Sequence, residues 1–205
     1  MPTTVKSVSV SGCYWSGSSV IIDILAEHSS CVVVPEEFSA YSYGQFFEEV
    51  IYPLTQGQYN KQKLENNLNR FLIFNKSEPP ILFSIVRRLC HLLRYYPEGL
   101  FQRRMGLSKI LGKQYQDCCQ TFASYLRELE KNPSKVSSRY LCSIINQILV
   151  EASKGALLNV GRSMPDDKLL GIFDQLMAAP YAESTLPFLP DTKFVNVDRD
   201  WRDQY

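Results

Sequence analysis

At 205 residues and 23.5 kDa the chain has the length of one domain, with enough residues to bury a core. Hydrophobic residues make up 45%, aromatics 12% and charged residues 21%, which excludes a disordered, collagen-like or low-complexity chain. Twenty-two Lys plus Arg against 21 Asp plus Glu leave a formal charge of +1, so no global field draws the chain to nucleic acid or an anionic membrane, and any anion site has to be local.

The first predicted element is a strand over 6–11, ending at Gly12. A helix follows over 18–27, with apolar residues at Val20, Ile21, Ile24 and Leu25, and then a second strand, Cys31–Val34. The second strand is a continuous apolar run, as expected of a parallel strand buried on both faces, and so is 156–158, where a third strand is predicted over 156–160. A last strand is predicted over 193–197. Between them, about 40–154 reads as helical, from Phe46, Phe47, Val50 and Ile51, through Leu64, Leu68 and Leu72, then Leu107 to Leu129, to Tyr140, Ile144, Ile145, Ile148 and Leu149. The expectation is a single α/β domain over 1–205, with a parallel sheet and a large helical insertion.

Nothing in the chain reaches the roughly 20 apolar residues of a bilayer span, and the start lacks the basic and apolar regions of a signal peptide. The expected location is cytoplasmic, with no membrane span and no nucleic-acid partner. The six cysteines (13, 31, 90, 118, 119, 142) form no C-x-x-C pair, and reduced, mostly buried thiols are expected. Between residues 80 and 140 eleven basic residues stand against four acids, either a solvated helical surface or a wall facing an anionic ligand.

The loop after the first strand reads Gly12-Cys13-Tyr14-Trp15-Ser16-Gly17-Ser18-Ser19. It keeps the glycine spacing and final hydroxyl of a phosphate-binding loop, but Ser18 stands where such a loop has its lysine. Glycine lets the backbone approach an anion closely, and N–H groups at a helix start favour negative charge. Without the lysine, the β- and γ-phosphates of a nucleoside triphosphate are poorly served, which disfavours an ATP-driven enzyme. A plain serine-capped strand-to-helix turn is the alternative for this segment. Near the other end, Asp198-Arg199-Asp200-Trp201-Arg202-Asp203 follows a strand. An arginine at a strand's C-terminal end can grip a terminal phosphate, although such a cluster can also be a surface ion-pair network.

Taken together, these segments resemble the sulfotransferase superfamily. Trp15-Ser16-Gly17-Ser18-Ser19 is similar to its phosphosulfate loop, Ile24-Leu25-Ala26-Glu27-His28-Ser29 to the end of its first helix, and 193–203 to its strand followed by Arg-Asp-Pro-Arg-Asp. The stretch Leu186-Pro187-Phe188-Leu189-Pro190-Asp191 resembles the family's approach to that strand. The resemblance covers about 5–37 and 156–203. It implies a three-layer P-loop-like fold and sulfuryl transfer from 3′-phosphoadenosine 5′-phosphosulfate (PAPS) to a hydroxyl or amine. Ser16, Gly17, Ser18 and Ser19 would surround the 5′-phosphosulfate, Arg199 would hold the 3′-phosphate, and Glu36, with Glu37 next to it, would be the base. Both acids could equally begin a helix after Pro35. His28 and His91 are competing bases not carried into the site, and no metal site is expected.

Two departures from the family pattern stand out. Trp15 occupies the place of a basic residue, and no Lys or Arg occurs between Lys6 and Lys61. Arg162, Arg87 and Arg88 are the possible substitutes. The chain also stops six residues after Arg199, short of the family's remaining core helices, so it is expected to be incomplete at its C-terminus. The other readings are a catalytically degraded nucleotide-binding or interaction protein of the same fold, and a nucleotide kinase-like phosphotransferase.

Overall fold

The structure, a computed structural model, describes residues 4–12, 18–35, 46–58, 60–74, 107–132, 137–174, 176 and 182–197. Its elements run β1 (Thr4–Gly12), α1 (Ser18–Ala26), β2 (Cys31–Val34), a π-helical turn (Phe47–Ile51) leading into α2 (Tyr52–Thr55), α3 (Lys61–Phe74), α4 (Leu107–Leu111), α5 (Lys113–Lys131), α6 (Ser138–Asn159), β3 (Lys168–Asp174), α7 (Ala182–Thr185), a 3₁₀ turn (Leu186–Phe188) and β4 (Thr192–Val197). The four strands form one sheet in the order β2-β3-β1-β4. Every pairing is parallel, with β1 in register with β3 (Val10 opposite Asp174) and with β4 (Gly12 opposite Val197), and β2 with β3 (Val34 opposite Phe173).

Side-chain alternation divides the core between the two faces of the sheet. Val10, Cys31 and Ile172 pack with Ile22 of α1 on one face. Val32, Val34, Leu169 and Phe173 point the other way, into the helical block. That block is held by an aromatic cluster in which the Phe46, Phe71 and Phe122 rings lie 5.4 to 5.8 Å apart. On its block-facing side β1 presents Ser7, Ser9 and Ser11, all buried. Ser7 meets Thr192, its register partner on β4, in a 2.7 Å hydroxyl–hydroxyl bond that satisfies two buried polar groups together.

The α6 helix runs through the centre of the block. It starts on Ser137, whose Oγ accepts from the Tyr140 N–H at 3.3 Å, an N-cap bond. Two glycines let it pack closely. A Cβ on Gly155 would meet the Leu111 backbone, 2.7 Å from its carbonyl carbon, and one on Gly171 of β3 would run into the Ser153 side chain, 2.9 Å from its Cβ. By length and composition α6 could cross a bilayer, but 56% of its most apolar window is buried inside the fold, as a core helix requires.

Two expectations need correcting. Residues 156–160, predicted as a strand, form the last turn of α6 and its cap: Ala156 and Leu157 are buried, while Leu158 and Val160 are exposed. The strand actually present in that part of the chain is β3, Lys168–Asp174, which the sequence reading did not identify. In addition, the stretch from Leu107 to Leu129 is two helices rather than one, separated at Gly112, where φ is +88°.

Candidate functional site

Parallel strands end together, and ligands of open α/β sheets sit at that C-terminal edge. Gly12, the last residue of β1, is paired with Val197, the last residue of β4. The predicted phosphate-binding segment leaves from Gly12 and the arginine-bearing segment leaves from Val197, so they depart from neighbouring strands about 5 Å apart. On the far side of β3, β2 ends at Val34, two residues before Glu36.

The predicted site residues stand as follows. Ser18 and Ser19 form the first turn of α1, Ser18 half-buried and Ser19 exposed. Ser16, Gly17, Glu36 and Arg199 lie outside the described residues, as do Glu37, Arg87, Arg88 and His91. The segments carrying the predicted residues are brought to one edge by their strands, whereas the geometry among their side chains falls outside the described residues. Sequence reasoning passed over one further group there, Asp174, which ends β3 between β1 and β2 and is partly buried. Its signal is the carboxylate closing the apolar run Leu169-Leu170-Gly171-Ile172-Phe173.

Arg162 is at the opposite edge. It follows the end of α6, where Gly161 turns the chain at φ +70°. Its Nη1 donates to the Cys31 carbonyl at 2.9 Å and its Nη2 to the Ser29 carbonyl, both at the start of β2. A guanidinium held at the N-terminal edge cannot stand in for the basic residue replaced by Trp15. His28 shares that edge, where its Nδ1 accepts the Ser30 N–H at 3.1 Å, a local turn-closing role. Of the basic residues in the helical block, Arg127 pairs with Glu65 at 3.5 Å between α5 and α3, as a solvated helical surface would have it.

No family model, curated protein or solved structure matches the chain.

The thiols offer no nucleophile among the described residues. Cys31, Cys118, Cys119 and Cys142 are free. Burial pushes Cys119 up to about 12, and burial also raises Cys118 and Cys142. Cys31 is raised by burial against a smaller opposing pull from Arg162. All four are therefore thiols, not thiolates, at neutral pH. No cluster of three or more metal-ligating side chains occurs among the described residues.

Proposed function

We propose that the protein is a PAPS-dependent sulfotransferase of three-layer, P-loop-like fold, acting on a hydroxyl or amine. The observation that carries this reading is the pairing of Gly12 with Val197, which brings the ends of the two motif-bearing segments together at the ligand edge of a parallel sheet. Support also comes from α1 on one face, the helical block on the other, and β1 inside the sheet.

In this reading the amides of residues 16–19, at the start of α1, cradle the 5′-phosphosulfate, and the helix dipole favours its charge. The Arg199 fork takes the 3′-phosphate through paired charge-assisted hydrogen bonds. A carboxylate at the same edge removes the acceptor's proton as the acceptor attacks sulfur in line with the departing phosphate; the resemblance gives that role to Glu36. Trp15 in place of a cationic donor leaves the bridging oxygen less stabilised, a loss of about 10²- to 10³-fold in turnover. That substitution favours a second reading, a protein of this fold that binds the nucleotide without transferring from it.

Calorimetric titration with adenosine 3′,5′-bisphosphate, repeated on Arg199→Ala, tests the site. Binding by the native chain that weakens at least about tenfold in the variant is expected for a lost charge-assisted pair. Absence of binding, or equal binding by both, rejects it. Binding without any breakdown of PAPS selects the second reading.

A further inference from the structure

The two faces of the sheet are unequally covered, although a parallel sheet is ordinarily buried on both. On the face opposite the helical block the described residues supply one helix, α1, and among them Val10, Ile22, Cys31 and Ile172 are the fully buried ones. Val8, Val33, Leu170 and Val197 of the strands are partly exposed there. Val195 of β4, set on this face by its pairing with Val10, is 37% exposed. The helix also leaves apolar residues in solvent. Ile22 faces the sheet, while Val20 and Ile24, on the opposite side of α1, are 57% and 63% exposed. Glu27, just past the helix end and one turn beyond Ile24, continues that outward stripe and is exposed.

We propose that this face is the interface of a two-fold dimer, in which α1 of each copy lies over β1 and β4 of the other. Within one copy α1 packs over β3, between β1 and β2. β4 is two strand spacings from β3, about 10 Å, which is the distance between two packed helices. A second α1 therefore fits over β4 beside the first. A two-fold axis lying in the interface and parallel to β1 delivers it from another copy, with the strand direction preserved. The helix layer is then shared by two sheets, and the outward Val20 and Ile24 of each copy meet Val8, Val195 and Val197 of the other. Charge fixes the occupant as a second copy of this chain. Because α1 joins the end of β1 to the start of β2, it runs against the strands, and its acidic end, Asp23 and Glu27, lies towards the N-terminal edge. At that edge the same face carries Lys6 on β1 and Lys193 on β4, the register partner of Val8. From Ser18 to Glu27 the chain travels about 13 Å along the helix, and Val197 to Lys193 spans about 13 Å of strand. Glu27 of one copy thus comes to Lys193 of the other, and symmetry makes the pair twice. Lys6 already meets Asp191 at 3.7 Å, whereas Asp23, Glu27 and Lys193 have no ion pair to a described residue of their own chain.

The experiment measures molar mass by sedimentation equilibrium over a concentration series, for the native chain, Ile24→Lys, Glu27→Lys, Lys193→Glu and an equimolar mixture of the last two. The native chain should reach twice 23.5 kDa and go no further, since a two-fold interface closes on itself. Ile24→Lys buries a charge against the other copy's valines and should weaken the dimer at least about 100-fold. Glu27→Lys and Lys193→Glu each bring like charges together and should weaken it at least about tenfold. Their mixture should recover the dimer, because each copy then supplies the sign that the other lacks. All three side chains are exposed in a single copy, so the circular dichroism of every variant should stay native. A native chain that stays monomeric, assembly beyond the dimer, native dimerisation by Ile24→Lys, no recovery in the mixture, or loss of helical signal in any variant would each overturn the interface.

Discussion

The two edges of the sheet are built from the same strands and treated in opposite ways. At the N-terminal edge the polar groups are turned on one another. Arg162 donates to the Ser29 and Cys31 carbonyls, His28 accepts from Ser30, the Cys31 N–H donates to the His28 carbonyl at 2.9 Å, and the Thr4 N–H donates to the Asp167 carbonyl at 3.0 Å. At the C-terminal edge a glycine ends β1, a carboxylate ends β3, and hydroxyls begin α1. An edge that satisfies itself contributes stability. An edge that ends in glycine, hydroxyl and carboxylate is suited to a ligand. Substitutions should separate the two contributions.

The largest expected effect would break both edges together. In Gly155→Val the new Cβ meets the Leu111 backbone, which cannot swing aside as a side chain could, so α6 must move away from α4. Overpacking of this kind costs about 3 kcal/mol, a fall in Tm of roughly 6–12 °C in thermal unfolding. An unchanged Tm would mean that α6 and α4 do not meet there. Arg162→Ala acts on one edge only. It removes charge-assisted bonds to two carbonyls and should cost about 2 kcal/mol, or roughly 4–8 °C. Its affinity for adenosine 3′,5′-bisphosphate should remain native, the reverse of Arg199→Ala. A variant of Arg162 that loses the nucleotide but not stability would place the guanidinium at the wrong edge.

How far the sequence could be read follows from the same physics. β2 was legible because four consecutive β-branched or small apolar residues, buried on both faces, have few other uses. β1 and β4 were legible to within a residue or two, β1 running up to Gly12 and β4 up to Asp198. Residues 156–160 misled because a short apolar run looks the same in a buried strand and in a buried helix, and periodicity cannot separate them. Continuity with Ile144 to Leu149, which keeps the helical spacing up to Ala156, was the available signal. β3 was missed because Gly171 interrupts its apolar run. That glycine answers to packing, since Ser153 of α6 occupies the space a side chain would need. That the two motif-bearing segments leave from strand ends was legible, but the strand ending at Asp174 was not identified.

The smallest expected effect concerns His28, which lies within the N-terminal stretch 5–37. With Nδ1 accepting the Ser30 N–H, a neutral imidazole carries its proton on Nε2 and has no free lone pair with which to remove another. The residue also belongs to the turn between α1 and β2, at the edge away from the Gly12 loop. His28→Ala should therefore leave PAPS breakdown and nucleotide affinity native, and remove one exposed hydrogen bond worth about 0.5 kcal/mol, a Tm change of roughly 1–2 °C. A collapse of turnover at unchanged Tm would reverse the assignment of the two edges, because the proton acceptor would then lie on the side that the strand ends face away from.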